Sequence, residues 1–212
     1  MNGTGGSEGV PTWLAWAREI AALCQTGLAF SNSYDTGRYR RLMEIAAEIT
    51  AHHSGLPLQG LTDTLMAQPG YATPKIDVRA AVVRDGRILL VHERADGMWC
   101  MPGGWADVGE YPAAMVAREA LEESGIVVVP RKVVGVFDAN RSGRPLEFYH
   151  AYKIVFLCDD VGGELRGSNE TFAAAYFDFS DIPPLSSNRT HPRHLAEVQA
   201  HIADPGRPTA FE

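Results

Sequence analysis

Three glutamates, Glu119, Glu122 and Glu123, lie within five residues of one another. On a helix such a run repels itself unless something cationic sits among the carboxylates. Hard divalent cations meet that need. They take oxygen ligands, and Mg²⁺ combines a few carboxylates with substrate phosphates. Arg118 stands four residues before Glu122 and can hold it through the guanidinium fork. Just upstream, Met101-Pro102-Gly103-Gly104 can turn tightly enough to bring a backbone carbonyl close to a metal. Residues 104 to 126, GWADVGEYPAAMVAREALEESGI, therefore read as a loop and then a helix that carries a divalent-metal site.

The helix has its own start and stop signals. Pro112 suits the first turn, where its missing N–H would be unpaired anyway. Residues 113 to 124 are mostly good helix formers, and Gly125 follows as a C-terminal stop. Ala113, Ala117, Ala120 and Leu121 are expected to pack on a core as one apolar stripe. Met115, Arg118, Glu119, Glu122 and Glu123 form a second stripe on another side. A solvated acidic face with one i,i+4 ion pair is the plainer reading of EALEE by itself. Gly104, Glu110 and Gly125 in register with it favour the metal.

With Gly104, Glu110, Arg118, Glu119, Glu122, Glu123 and Gly125 at these spacings, the stretch resembles the signature of the Nudix hydrolases. That signature is Gly-x5-Glu-x7-Arg-Glu-U-x-Glu-Glu-x-Gly-U, with U apolar, and Ala120 and Ile126 stand at U places. Trp99-Cys100-Met101-Pro102-Gly103-Gly104 looks like the usual approach to it, and residues from about 75 to 185 look like the whole domain. WLAWAREIAALCQTGLAF and RYRRLMEIAAEI, nearer the start, are similar to the helical extension of a bacterial Nudix group. That group acts on nucleoside diphosphates linked to another moiety, ADP-ribose and CDP-choline among them.

The resemblance implies an α/β fold: a sandwich with helices on both sides of a mixed sheet, preceded by a small all-α extension. Alternating strands and helices along the chain agree with it. Glu119, Glu122 and Glu123 are the expected ligands of Mg²⁺ or Mn²⁺, with Glu119 and Glu123 foremost because they are one turn apart. By resemblance the Gly104 carbonyl is a further ligand. Glu110 is expected to hold Arg118 or a metal-bound water, and Arg118 to orient the carboxylates. Many Nudix enzymes place another acid late in the domain. Glu170 is present here, but Ala173 stands where this group often has a second Glu. Glu170 is the first candidate for the base, with Glu147, Glu164 or a helix glutamate as alternatives. Arg79, Arg141 and Arg144 are candidates to clamp phosphates or a ribose, and Tyr71, Trp105, Phe148 and Tyr152 to stack a base. The loop from 138 to 147 is where the second moiety is expected to be read. The expected reaction is hydrolysis of a diphosphate link to a nucleoside monophosphate and a phosphorylated moiety. A nucleoside triphosphate pyrophosphohydrolase would use the same helix, and a ligand-sensing module would use the same fold without catalysis.

Composition narrows the partners. The chain has 212 residues, 45% hydrophobic and 21% charged, with net charge −7. That is an ordinary globular balance and argues against a general nucleic-acid or membrane-surface binder. Cys24, Cys100 and Cys158 are scattered without metal-ligand spacing and read as thiols in a reducing compartment. The first residues have no signal-peptide pattern, and no apolar stretch approaches the ~18 residues of a membrane span. These features point to the cytoplasm.

Residues 1–68 are expected to form a helical extension, 69–74 a linker and 75–212 the catalytic domain. In the extension, Thr12 can cap a helix with Trp13, Trp16, Ala17, Ile20, Leu23 and Cys24 as apolar positions, ended by Gly27. Asp35 or Thr36 can cap a second with Leu42, Ile45, Ala46 and Ile49, closed by His52 and His53, and a third runs from about 58 to 67. Helices this few cannot bury such broad apolar faces among themselves. Trp13 and Trp16 need a partner, either a second copy across a two-fold axis or the catalytic domain; the resemblance favours a homodimer. Beyond the linker, alternation from Ile76 to Val82, a turn at Asp85-Gly86 and runs at 87–92, 98–101, 127–129, 132–137, 148–158 and 172–179 read as strands. Residues 159–167 read as turn, and 192–202 as a last helix.

Overall fold

The computed structural model describes residues 11–30, 34–139 and 150–212. The chain divides into two compact units, Met1–Pro74 with Gly143–His150 and Lys75–Ser142 with Ala151–Glu212.

The first unit holds three helices, α1 (Thr12–Phe30), α2 (Thr36–Ser54) and α3 (Leu58–Met66). Their shared core is Ala21, Cys24, Met43, Ala46, Ala47, Leu61 and Leu65. Small side chains dominate it because they let helix backbones approach closely. Gly27 shows how closely: a Cβ there would lie 2.5 Å from the Tyr39 ring of α2. Gly27 is therefore a helix-crossing residue inside α1 and not its stop. The inward faces also differ from the expected ones. α1 buries Leu14, Ala17, Ala21 and Cys24, and α2 buries Met43, Ala46, Ala47 and Thr50. Trp16, Leu23 and Phe30 are left 61%, 64% and 73% exposed, a second apolar stripe along α1. Asp35 caps nothing with its side chain; its carboxylate takes Arg38 at 2.8 Å. His53 stacks on Trp13, with ring centres 4.8 Å apart.

The second unit holds β1 (Lys75–Arg84), β2 (Arg87–Glu93), β3 (Trp99–Cys100), α4 (Pro112–Ser124), β4 (Ile126–Asp138), β5 (Ala151–Gly163), β6 (Thr171–Asp178), α5 (Pro192–Ala203) and β7 (Ala210–Phe211). The sheet runs β3-β2-β1-β5-β4-β7, with β6 on β2. β1 and β5 are parallel, as are β4 and β7; the other pairings are antiparallel, so the sheet is mixed. Val78, Ala80, Val82 and Leu89 meet Met115, Val116 and Ala120 of α4 on one face. Ala81, Ile88 and Leu90 meet Leu195 and Val198 of α5 on the other. This is the α/β/α sandwich.

Being covered on both faces changes how the strands read. β1 is buried continuously from Asp77 to Val82, because alternation does not mean exposure in a two-sided sheet. Expected strands at 127–129 and 132–137 are one strand, β4, whose register against β5 slips at Pro130/Lys132. A bulge lets a strand carry an unpairable residue and continue. β5 likewise runs on to Gly163, through residues expected to turn, because Gly162 and Gly163 pair with Val127 and Ile126.

Candidate active site

The glycine turn is held as an extra strand. β1 pairs with β2 only through Val83–Ile88 and Arg84–Arg87. The edge it leaves free is taken by the turn before α4. Ala80 N–H donates to Pro102 O at 2.8 Å, Val78 N–H to Gly104 O at 2.9 Å, and Ala106 N–H to Ile76 O at 2.8 Å. Gly103 has φ +140°, and a Cβ on it would lie 2.0 Å from Val78 O. Only glycine fits that backbone at that approach. The Gly104 carbonyl thus has one lone pair engaged by Val78 and a second to offer.

α4 faces this turn, rotated from the expected setting. It buries Met115, Val116, Ala120, Glu123 and Ser124, while Ala113 is exposed and Leu121 is 39% exposed. The reason is Glu123. Its Oε2 accepts Gly103 N–H at 2.9 Å, and its backbone carbonyl accepts the Thr171 hydroxyl at 2.8 Å. Glu119, one turn earlier, has Oε2 3.5 Å from where a Cβ on Gly104 would sit. Two carboxylates therefore flank the Gly103-Gly104 turn.

Arg118 gathers the remaining acids. Its Nε and Nη2 grip Glu110 at 3.0 and 2.7 Å, its Nη1 reaches Glu119 and Glu122, both at 2.9 Å, and Nη2 touches Asp107 at 3.2 Å. The Glu110 carboxyl is held below the usual carboxylate range by that contact, and the guanidinium is held more firmly protonated. Glu119 moves the other way. Burial raises its pKa, Arg118 opposes, and the negative charges of Glu122 and Glu170 add to the rise. Burial pushes Glu123 up to about 7, against the pull of Arg79 and Gly103 N–H.

Hard oxygen donors at Glu119, Glu122, Glu123 and Gly104, with two of the carboxyls unfavourably placed as bare anions, suit a divalent cation. Among the described residues no three His, Cys, Asp or Glu side chains already converge as a cage; Glu119 and Glu122 are turned to Arg118.

The other expected residues scatter. Glu170 is exposed; its N–H donates to Ser168 Oγ at 3.1 Å, and its charge is felt at Glu119. Glu164 is exposed, as are Trp105 and Tyr71. Tyr152 is 41% exposed on β5, opposite Ile76. Arg141, Arg144, Glu147 and Phe148, with most of the 138–147 loop, lie outside the described residues. Arg79 is a correction. It is buried, forked onto Asp77 at 2.8 and 3.3 Å, and donates to Met101 O at 3.1 Å, so its guanidinium is spent inside the unit and is not free to clamp a phosphate. Sequence reasoning passed over Asp77, Glu93, Lys153 and Thr190, all buried here. Lys153 Nζ bonds Asp77, and Glu93 accepts the Cys100 thiol at 3.1 Å. Asp77 and Lys153 lie among apolar strand residues, a pattern that a solvent-facing position shares, and Thr190 lies outside any strand and carries no signal.

A family model described as the NUDIX domain matches residues 74–198. The chain belongs to the Nudix family. A second model, described as a UDP-X-like, N-terminal oligomerisation domain, matches residues 11–65 of this Nudix chain. A Bacillus subtilis protein named as a candidate ADP-ribose pyrophosphatase, YjhB, is 39% identical over 201 residues, covering 94% of this chain and 97% of that one. A Streptococcus suis ADP-ribose pyrophosphatase structure is 34% identical with TM-score 0.60, covering 66% of this chain and all of that one. The structure of a UDP-X diphosphatase is 27% identical with TM-score 0.62 over 94% of this chain and 98% of its own. The protein is a Nudix hydrolase acting on phosphorus anhydrides. Nudix hydrolases use divalent cations, and the donor set on α4 fits one.

Proposed function

We propose that this Nudix hydrolase cleaves the α/β diphosphate link of a nucleoside diphosphate joined to another moiety, of the ADP-ribose or CDP-choline kind. It releases a nucleoside monophosphate and a phosphorylated second moiety. The observation that supports this best is the pair of carboxylates, Glu119 and Glu123, flanking the Gly103-Gly104 turn. Such a compact cluster suits a two-phosphate bridge rather than an extended chain of phosphates. The near full-length likeness to the B. subtilis protein, extension included, adds to it.

Glu119, Glu122, Glu123 and the Gly104 carbonyl would hold Mg²⁺ or Mn²⁺, which when bound neutralises phosphate charge and acidifies a water. The chain's own residues do the rest. Arg118 keeps Glu119 and Glu122 apart from each other's charge and is itself aimed by Glu110. Gly103 N–H fixes one oxygen of Glu123. Glu170 takes the proton of the attacking water on its carboxylate. The substrate is a small nucleotide derivative rather than a nucleic acid, in keeping with the net charge of −7. No helix among the described residues is long and apolar enough to cross a membrane, and we place the enzyme in the cytoplasm. Hydrolysis in ¹⁸O-labelled water, with ADP-ribose, CDP-choline and dGTP side by side, tests the assignment. The expected products are a labelled phosphomonoester and its unlabelled counterpart from the first two. Cleavage of dGTP alone, with release of pyrophosphate, would sink it.

The helical unit serves a homodimer. Trp16, Leu23 and Phe30 fall at helical spacing on the solvent side of α1, an apolar face that its own core does not use. Trp16→Asp combined with Leu23→Asp is expected to halve the mass seen by light scattering on a sizing column. A double variant that keeps the parent's mass would place the interface elsewhere.

A further inference from the structure

We propose that Arg79 and Thr190 are positioning residues for the hydrolytic reaction: together they grip the backbone N–H and C=O of Met101 and so set where the Gly103-Gly104 turn meets Glu119 and Glu123. This rests on reading that turn and α4 as the metal and phosphate site.

β3 is two residues long, and its ladder to β2 ends at the Val91–Cys100 pair. Met101, fully buried, therefore has no strand partner for its N–H or C=O. Buried peptide groups left unpaired are costly, so the chain must meet them some other way. It does so with two side chains from distant elements. Thr190 Oγ1 accepts Met101 N–H at 2.8 Å, and Arg79 Nη1 donates to Met101 O at 3.1 Å.

Each gripping side chain is anchored in turn. The Arg79 fork sits on Asp77, which Lys153 also holds. Thr190 N–H donates to Ser186 O at 2.7 Å, and Ser186 N–H donates to Trp99 O at 2.8 Å. Neither residue has freedom to follow a drifting peptide. Downstream there is no slack either. Pro102 O and Gly104 O are fixed to β1, and Gly103 is packed against Val78 O too tightly for a Cβ. A displacement at Met101 is handed within three residues to the N–H that Glu123 accepts and to the backbone beside Glu119. Misplacement of reacting groups by about 1 Å can cost about a hundredfold in rate.

The test uses the full-length chain and two readouts: binding of Mn²⁺ without substrate, followed by the resonance signal of the free ion, and kcat on a diphosphate substrate. Thr190→Val removes the acceptor and keeps the volume. It is expected to weaken Mn²⁺ binding about tenfold and to lower kcat by about ten- to a hundredfold. Thr190→Ser restores the oxygen and is expected to stay within about twofold of the parent on both. A folded Thr190→Val with parental Mn²⁺ affinity and kcat overturns the proposal. So does a loss that Thr190→Ser leaves unrepaired, since packing would then be the cause. Should Thr190→Val fail to fold, Arg79→Lys decides: it keeps the charge but loses the fork, and parental metal affinity and turnover in it overturn the proposal. A parent chain that binds no Mn²⁺ defeats the reading of α4 itself, and this inference falls with it.

Discussion

Glu123→Gln is expected to give a folded protein whose turnover on a diphosphate substrate falls by about a hundredfold or more. Glu123 is the carboxylate most deeply set against the glycine turn, and its Oε2 already accepts Gly103 N–H. Glutamine keeps the shape and one acceptor but loses the charge. Several kcal/mol of transition-state stabilisation depend on a well-held metal, and each 1.4 kcal/mol is about a factor of ten. Glu119→Gln should behave alike, and near-parental turnover of both at saturating Mg²⁺ would refute the assignment of α4.

The same substitution should change stability in the opposite sense. Burial raises the Glu123 carboxyl from 4.5 to about 7. Below pH ~4.5 it is neutral in folded and unfolded chains alike and costs nothing. As pH rises toward 7, the unfolded chain releases this proton before the folded chain does, so folding grows less favourable through that window. A shift of this size corresponds to about 3 kcal/mol. In chelator, denaturant unfolding from about pH 4 to about pH 8 should therefore show the parent losing stability relative to Glu123→Gln, then running level above about 7. Two curves that stay parallel throughout would show that Glu123 is not buried as a costly anion.

Asp77→Ala is expected to destabilise the second unit by about 3–5 kcal/mol, the range for breaking a buried ion pair from one side. Asp77 is the acid shared by Arg79 and Lys153, and all three are buried. Its carboxyl is held below the usual range by those two cations, although burial alone would raise it. Alanine leaves one guanidinium, Arg79, and one ammonium, Lys153, in the core without their shared acid. Urea unfolding near neutral pH measures the effect, and a loss under about 1 kcal/mol, the worth of an exposed pair, would show that water reaches the trio.

The contrast between Glu123 and Asp77 explains what the sequence disclosed. The acidic helix α4 is legible because the Nudix signature fixes residue types at fixed spacings, and start and stop residues such as Pro112 and Gly125 act locally. Which way α4 turned was not legible. Ala113 and Leu121 look like core, Glu123 looks like surface, and only the Gly103 N–H reverses that. Asp77, Arg79 and Lys153 were harder still. In a strand, a charged residue between apolar ones reads as solvent-facing, and α5 covering the second face is a tertiary fact. Gly27 failed for a similar reason: a glycine that lets Tyr39 cross looks the same as one that ends a helix.

β1 sits between two very different neighbours in time. On one edge it receives residues 102 to 106, some twenty-five positions along the chain; on the other it pairs with β5, Asp77 meeting Lys153 across 76 positions. Short loops close early and long ones late, and distant pairings slow folding. As the chain is made, the glycine turn can settle on β1 while Lys153 has yet to be synthesised. Asp77 and Arg79 then face each other without their third partner, and Lys153 joins them only when β5 pairs with β1, a long-loop closure of the kind that slows folding.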